Sequence, residues 1–182
     1  MRLLLHLRSI MISQEEHARN LVNLDLIKRN MEELNFATHL VEKSEQAPLN
    51  MLLVNVGKTY KDDDRVLNFN YIPLPKEMVN SIELLQITSV IPTLYKKEYK
   101  NILEKFLLAA NTKLAVGNFI LGDNNTIMFR YIYMAPKLEL IRKEELKETT
   151  MLCVYMLEIF TETIEKIAQG EMSLSQALKS IG

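Results

Sequence analysis

Apolar residues recur along this chain in two rhythms, one helical and one extended, and they alternate in blocks. After Ser13, residues Leu21, Leu24, Ile27, Met31 and Leu34 fall at helical spacing, with Arg19, Lys28, Arg29 and Glu33 among the polar positions between them. Ser13 followed by Glu16 fits a capping box, in which hydroxyl and carboxylate satisfy the exposed amides of a helix start. The pattern predicts an amphipathic helix on a surface, ending near Leu34–Asn35. Shorter blocks follow. Phe36–Lys43 is mixed, Met51–Val56 is continuously apolar and closed by Gly57, and Val66–Ile72 is stopped by Pro73 and Pro75. Ser81–Ile91 is rich in β-branched residues and ends at Pro92. These blocks predict four strands in an antiparallel meander.

Past Pro92 the helical rhythm returns. Tyr95, Tyr99, Ile102, Leu103, Phe106, Leu107 and Ala110 share one broad face, opposite Lys97, Lys100, Asn101 and Glu104. A hairpin follows, with Asp123-Asn124-Asn125 as a turn that tolerates positive φ between Val116–Leu121 and Thr126–Met134. Both of these strands are apolar on two faces, which predicts central places in the sheet or cover on one side. A charged passage from Lys137 to Glu148 leads into a third helix that runs to about Gln169 and stops at Gly170. Its apolar arc is wider than one sheet contact needs, so the surplus calls for cover from elsewhere in the chain or from a second chain; Met151, Val154 and Tyr155 are the candidates. The order α-ββββ-α-ββ-α defines an α+β domain over residues 13–170. Residues 1–12 form an N-terminal extension, with Met11 an alternative start. Residues 171–182 form a tail with the spacing of a short helix.

Composition narrows the function classes. The 182 residues carry 22 basic and 23 acidic side chains, a net charge of -1, without the basic surplus on which nucleic-acid binding usually rests, so nucleic acid is not expected as a partner. The best cationic cluster, Lys96-Lys97 with Lys100 and Lys105, is interrupted by Glu98 and Glu104, as expected of a solvated helix face. A single cysteine, Cys153, excludes an internal disulfide framework, and its apolar surroundings in sequence predict a buried thiol. The first residues lack the long apolar core and cleavage site of a signal peptide, and no run reaches the length of a membrane span. A cytoplasmic protein without a membrane segment or cofactor is expected.

The motifs that suggest chemistry are incomplete. Gly57-Lys58-Thr59 resembles the end of a P-loop, but Leu52 stands where the first glycine belongs. Asp62-Asp63-Asp64 lacks the alternation and final glutamate of a calcium loop. Glu158, Glu162 and Glu165 form one stripe without the histidine of a dimetal site, and are expected to face water. The ten methionines suit core filling or an adaptable binding surface. Phe129, Tyr131 and Tyr133 share one face of their strand, with Arg130 and Ile132 on the other.

The passage Asn111–Tyr133, NTKLAVGNFILGDNNTIMFRY, has a helix end, a glycine-containing strand, a turn, and a strand bearing arginine and aromatics. With the final helix after a charged linker, it resembles the YbjN-like group within the type III secretion chaperone-like fold. That resemblance implies a non-enzymatic protein-binding module, commonly a homodimer, that holds an extended client segment. It implies a dimer contact on the middle helix and adjacent strand, here Tyr95, Tyr99, Ile102, Leu103 and Phe106 with Leu114 and Val116. The near-neutral charge departs from the acidity of many secretion chaperones and favours the broader YbjN-like reading. The alternative is a small-ligand or enzymatic domain with a pocket between sheet and helices, using Tyr131, Arg130 and a histidine. A concave pocket with converging polar groups would favour that alternative; a flat exposed apolar patch would favour the protein-binding module.

Overall fold

The computed structural model describes residues 13–45, 47–74 and 79–181; the extension at 1–12 and Pro75 lie outside them. Helix α1 (Gln14–Glu33) starts as its capping box requires: the Glu16 amide donates to Ser13 Oγ at 3.2 Å, and the Glu16 carboxylate receives the Ser13 amide. A turn with Asn35 at positive φ returns the chain into β1 (Ala37–Val41), against which α1 packs. Strands β2 (Met51–Lys58), β3 (Asp64–Ile72) and β4 (Ile82–Ile91) continue the meander. After α2 (Lys100–Asn111) come β5 (Asn118–Leu121) and β6 (Ile127–Pro136), then α3 (Lys143–Gln169) and α4 (Leu174–Ser180). The six strands form one open antiparallel sheet in the order β1-β2-β3-β4-β6-β5, and the fold is α+β.

The described chain forms two compact units. One comprises residues up to Val56, Leu67–Ile87 and Ile132–Lys147; the other comprises Gly57–Val66, Thr88–Tyr131 and the chain from Glu148 onward. In the first unit, Leu24, Ile27 and Met31 of α1 are buried, as are Leu52, Val54, Phe69, Leu85 and Ile87 of the strands. Over Met51–Val54 of β2 and Ile82–Ile87 of β4 every second side chain is buried, the period of a one-sided sheet. In the second unit the core is aromatic: the Phe119 ring meets Phe129 at 5.4 Å and Phe160 at 5.8 Å, both edge-on.

Several boundaries differ from those the pattern predicts. Helix α3 begins at Lys143, inside the charged passage, because Glu144 and Glu145 suit the positive end of a helix. Helix α2 begins only at Lys100, after a 3-10 turn at Lys97–Tyr99, so Tyr95 and Tyr99 precede it. Tyr95 is instead fixed by its amide, which donates to the Asn125 carbonyl at 3.1 Å. Strand β6 is interior, as an apolar strand should be, whereas β5 is an edge. That edge is capped by a side chain: the Phe119 amide donates to Asn111 Oδ1 at 2.7 Å, and Asn111 Nδ2 donates to the Phe119 carbonyl at 3.0 Å. The amide group occupies the place of a further strand, one way of blunting an edge.

Two glycines sit where no other residue fits. Gly117 has φ +72, and a Cβ there would lie 2.4 Å from the Phe129 ring. Gly170 ends α3 at φ +81, with the Tyr99 ring 2.1 Å from where a Cβ would be. The hairpin turn carries Asn124 and Asn125 at positive φ, as the Asp-Asn-Asn sequence implies. The tail forms α4 with its own capping box, Ser173 and Gln176.

Candidate interaction surface

Helix α3 is 27 residues long and two-sided. Cys153, Val154, Met156, Leu157, Phe160, Ile164, Ile167 and Ala168 turn inward. Met151, Leu152, Tyr155 and Ile159 turn outward, with 47%, 44%, 56% and 44% of their surfaces exposed. Fully burying such a side chain is worth roughly 1.5–3 kcal/mol, and about half of that remains to be gained at each, so four together on one face are a standing incentive for association. Beside the stripe, an open groove is lined by Lys113, Met156, Ile159, Phe160, Ser180 and Ile181.

The residues singled out from sequence divide sharply. Leu103 and Phe106 have no exposed surface, Val154 only 5% and Tyr95 only 6%; these four belong to the core of their own unit and offer nothing to a partner. The apolar face of α2 is consumed internally, because α2 packs against both β5 and α4. Tyr99, Ile102, Leu114 and Val116 are half-buried. Met151 and Tyr155 are exposed and share a face. Sequence reasoning passed over Leu152 and Ile159, although their spacing from Tyr155 carries the signal.

The glutamate stripe does not face water throughout. Glu165 is only 2% exposed; it accepts the Tyr60 hydroxyl at 2.5 Å and pairs with the Lys61 ammonium. That hydrogen-bonded carboxylate raises the pKa of Lys61, while burial, then the bond to Glu165, raises that of Tyr60. Glu158 stays half-exposed above the buried Arg65, which donates to it at 3.1 Å. These contacts tie the β2–β3 turn and the start of β3 to α3.

In the first unit, two small cavities of about 50 and 120 Å3 both border Tyr71 and Glu83. Glu83 accepts Arg19 Nε at 2.8 Å and Asn23 Nδ2 at 3.3 Å, so its carboxylate is already occupied. Burial, then the Glu83 charge, pushes the Tyr71 hydroxyl above its ordinary range. Ligand sites usually enclose roughly 300–1,000 Å3. Neither Tyr131 nor Arg130 lines these cavities, and His17 is engaged with Asn50. Among the described residues no group of three or more His, Cys, Asp or Glu is placed to hold a metal, and no helix is long and apolar enough to cross a membrane.

Cys153 is fully buried, and burial pushes its thiol up to about 12. The neutral thiol therefore favours the folded state. Its contribution is complete below the ordinary thiol range near 8.5 and is lost as pH climbs toward about 12. Because the thiolate is the nucleophile, native protein at pH 8 should react with iodoacetamide at least ~100-fold more slowly than denatured protein. Mass spectrometry over a time course reads this directly, and equal labelling rates would disprove the burial.

No protein-family model matches the chain, and no curated protein matches it.

Proposed function

We propose that this chain is a cytoplasmic, non-enzymatic protein-binding module of the adaptor or chaperone-like kind that its YbjN-like passage implies, and that it docks partners on the outward face of α3. The observation that supports this most directly is the row Met151, Leu152, Tyr155 and Ile159, each more than two-fifths exposed on one helix face. A helix laid along such a stripe buries apolar anchors at successive turns, the recurring geometry of helix-in-groove recognition. The small cavities at Glu83 and the neutral, buried Cys153 offer a small-molecule reaction much less. A homodimer is one form of such docking.

A photo-reactive amino acid in place of Tyr155 tests the reading in the producing organism. Irradiation should give a discrete protein adduct, absent when the probe replaces the still more exposed Leu138 and lost when Ile159→Glu is added. No adduct from residue 155, or the same adducts from both positions, would sink the proposal.

A further inference from the structure

We infer that the outward face of α3 is the seam of a two-fold self-pairing, in which a second copy of this chain lies antiparallel along the same helix. The inference rests on the reading of α3 as a docking face and adds the occupant and its register.

Glu148, Leu152, Tyr155, Ile159, Glu162 and Lys166 follow one another along α3 at steps of four, three, four, three and four residues. That alternation averages three and a half residues, the spacing that keeps one stripe of a helix facing a partner helix over its length. All six reach the surface. Leu152, Tyr155 and Ile159 are exposed as given above, the Glu162 and Lys166 side chains by 51% and 39%, and Glu148 is exposed as well.

The distribution of charge selects the occupant. The stripe has a carboxylate, Glu148, at one end and an ammonium, Lys166, at the other, with Tyr155 and Ile159 between them. An antiparallel copy whose two-fold axis passes beside Leu157 sets Tyr155 against the partner's Ile159, and Glu148 against the partner's Lys166. By symmetry each contact occurs twice. Lys166 already holds Glu162 of its own chain at 2.5 Å, and an ammonium has donors left for a second carboxylate. Leu152 then lies along the aliphatic stem of the partner's Glu162.

Other self-pairings are worse. A parallel copy opposes Glu148 to Glu148, Glu162 to Glu162 and Lys166 to Lys166. Sliding the antiparallel copy by one seven-residue repeat one way keeps an apolar pair, Leu152 with the partner's Tyr155, but sets Glu148 against the partner's Ile159 and leaves Lys166 without the partner's Glu148; the other way sets Tyr155 against the partner's Lys166 and Ile159 against the partner's Glu162. An anionic membrane is opposed by the carboxylates of Glu148, Glu158 and Glu162 along the stripe.

Light scattering of the whole chain over a wide concentration series should rise from 21.1 kDa toward twice that mass. Ile159→Glu should hold the protein at the monomer mass with an unchanged circular dichroism spectrum. Glu148→Lys or Lys166→Glu alone turns two attractive pairs repulsive and should weaken the dimer roughly tenfold. The double reversal, Glu148→Lys with Lys166→Glu, should restore it. A monomer at every concentration, a dimer indifferent to Ile159→Glu, or a double reversal that restores nothing would each overturn the self-pairing. A monomer that still gives a photo-adduct from residue 155 to a different protein leaves the docking reading standing; no adduct at all removes both.

Discussion

Replacing Phe106 with Glu is expected to abolish folding, and not to release a folded monomer. The side chain has no exposed surface and lies on the inward face of α2 beside Leu103, Leu107 and Ala110. A carboxylate there must either ionise in an apolar site or stay protonated without a partner, and both cost several kcal/mol. Loss of the ring's packing adds to this, bounded by the about 3–5 kcal/mol of a full Phe→Ala truncation, since the Glu side chain refills part of the space. Against a total stability of roughly 5–15 kcal/mol, little remains. Far-ultraviolet circular dichroism should show loss of helix, and light scattering should show aggregate. A well-folded monomer from this variant would mean that α2, and not α3, carries a subunit contact.

Phe119→Ala is the second large effect, at about 3–5 kcal/mol lost. Phe119 is 2% exposed and stands in an edge strand of only four residues, so its stability comes from its neighbours. Its ring meets the edges of Phe129 and Phe160, and its backbone is held by Asn111. Removing the ring leaves both aromatics against a void, and the backbone bonds alone do not keep β5 in place. Chemical denaturation should give a lower midpoint; if the slope is unchanged, the loss is one of stability alone. Phe119→Leu should recover most of it. A midpoint within experimental error of the parent would show that β5 contributes little to the second unit.

How much of this was legible beforehand depends on the range of the interaction concerned. The capping box at Ser13, the turn at Asp123–Asn125 and the stop at Gly170 were all readable, because each is decided within four or five neighbouring residues. The meander was readable because short apolar and β-branched blocks are punctuated by glycine, proline and polar breaks, which are local signals. The start of α3 was missed because charged residues read equally well as a linker or as a helix terminus. The site was half-legible. The excess apolar arc of α3 was visible in the pattern, and it remains exposed at Met151, Leu152, Tyr155 and Ile159. The face of α2 looked just as available, yet Leu103 and Phe106 are fully buried.

From sequence alone, then, the kind and order of the elements and the excess of apolar surface on the third helix were determined, since hydrophobic period and turn chemistry are local. Which apolar face is used up inside the subunit was decided only by tertiary structure. An edge strand and a short terminal helix, far apart in sequence from one another, both pack on α2 and cover it. The burial of Glu165 has the same origin: Tyr60 and Lys61 lie more than a hundred residues away and meet it only once the chain has folded. A residue's exposure is set by what comes to rest on it, and no local pattern records that.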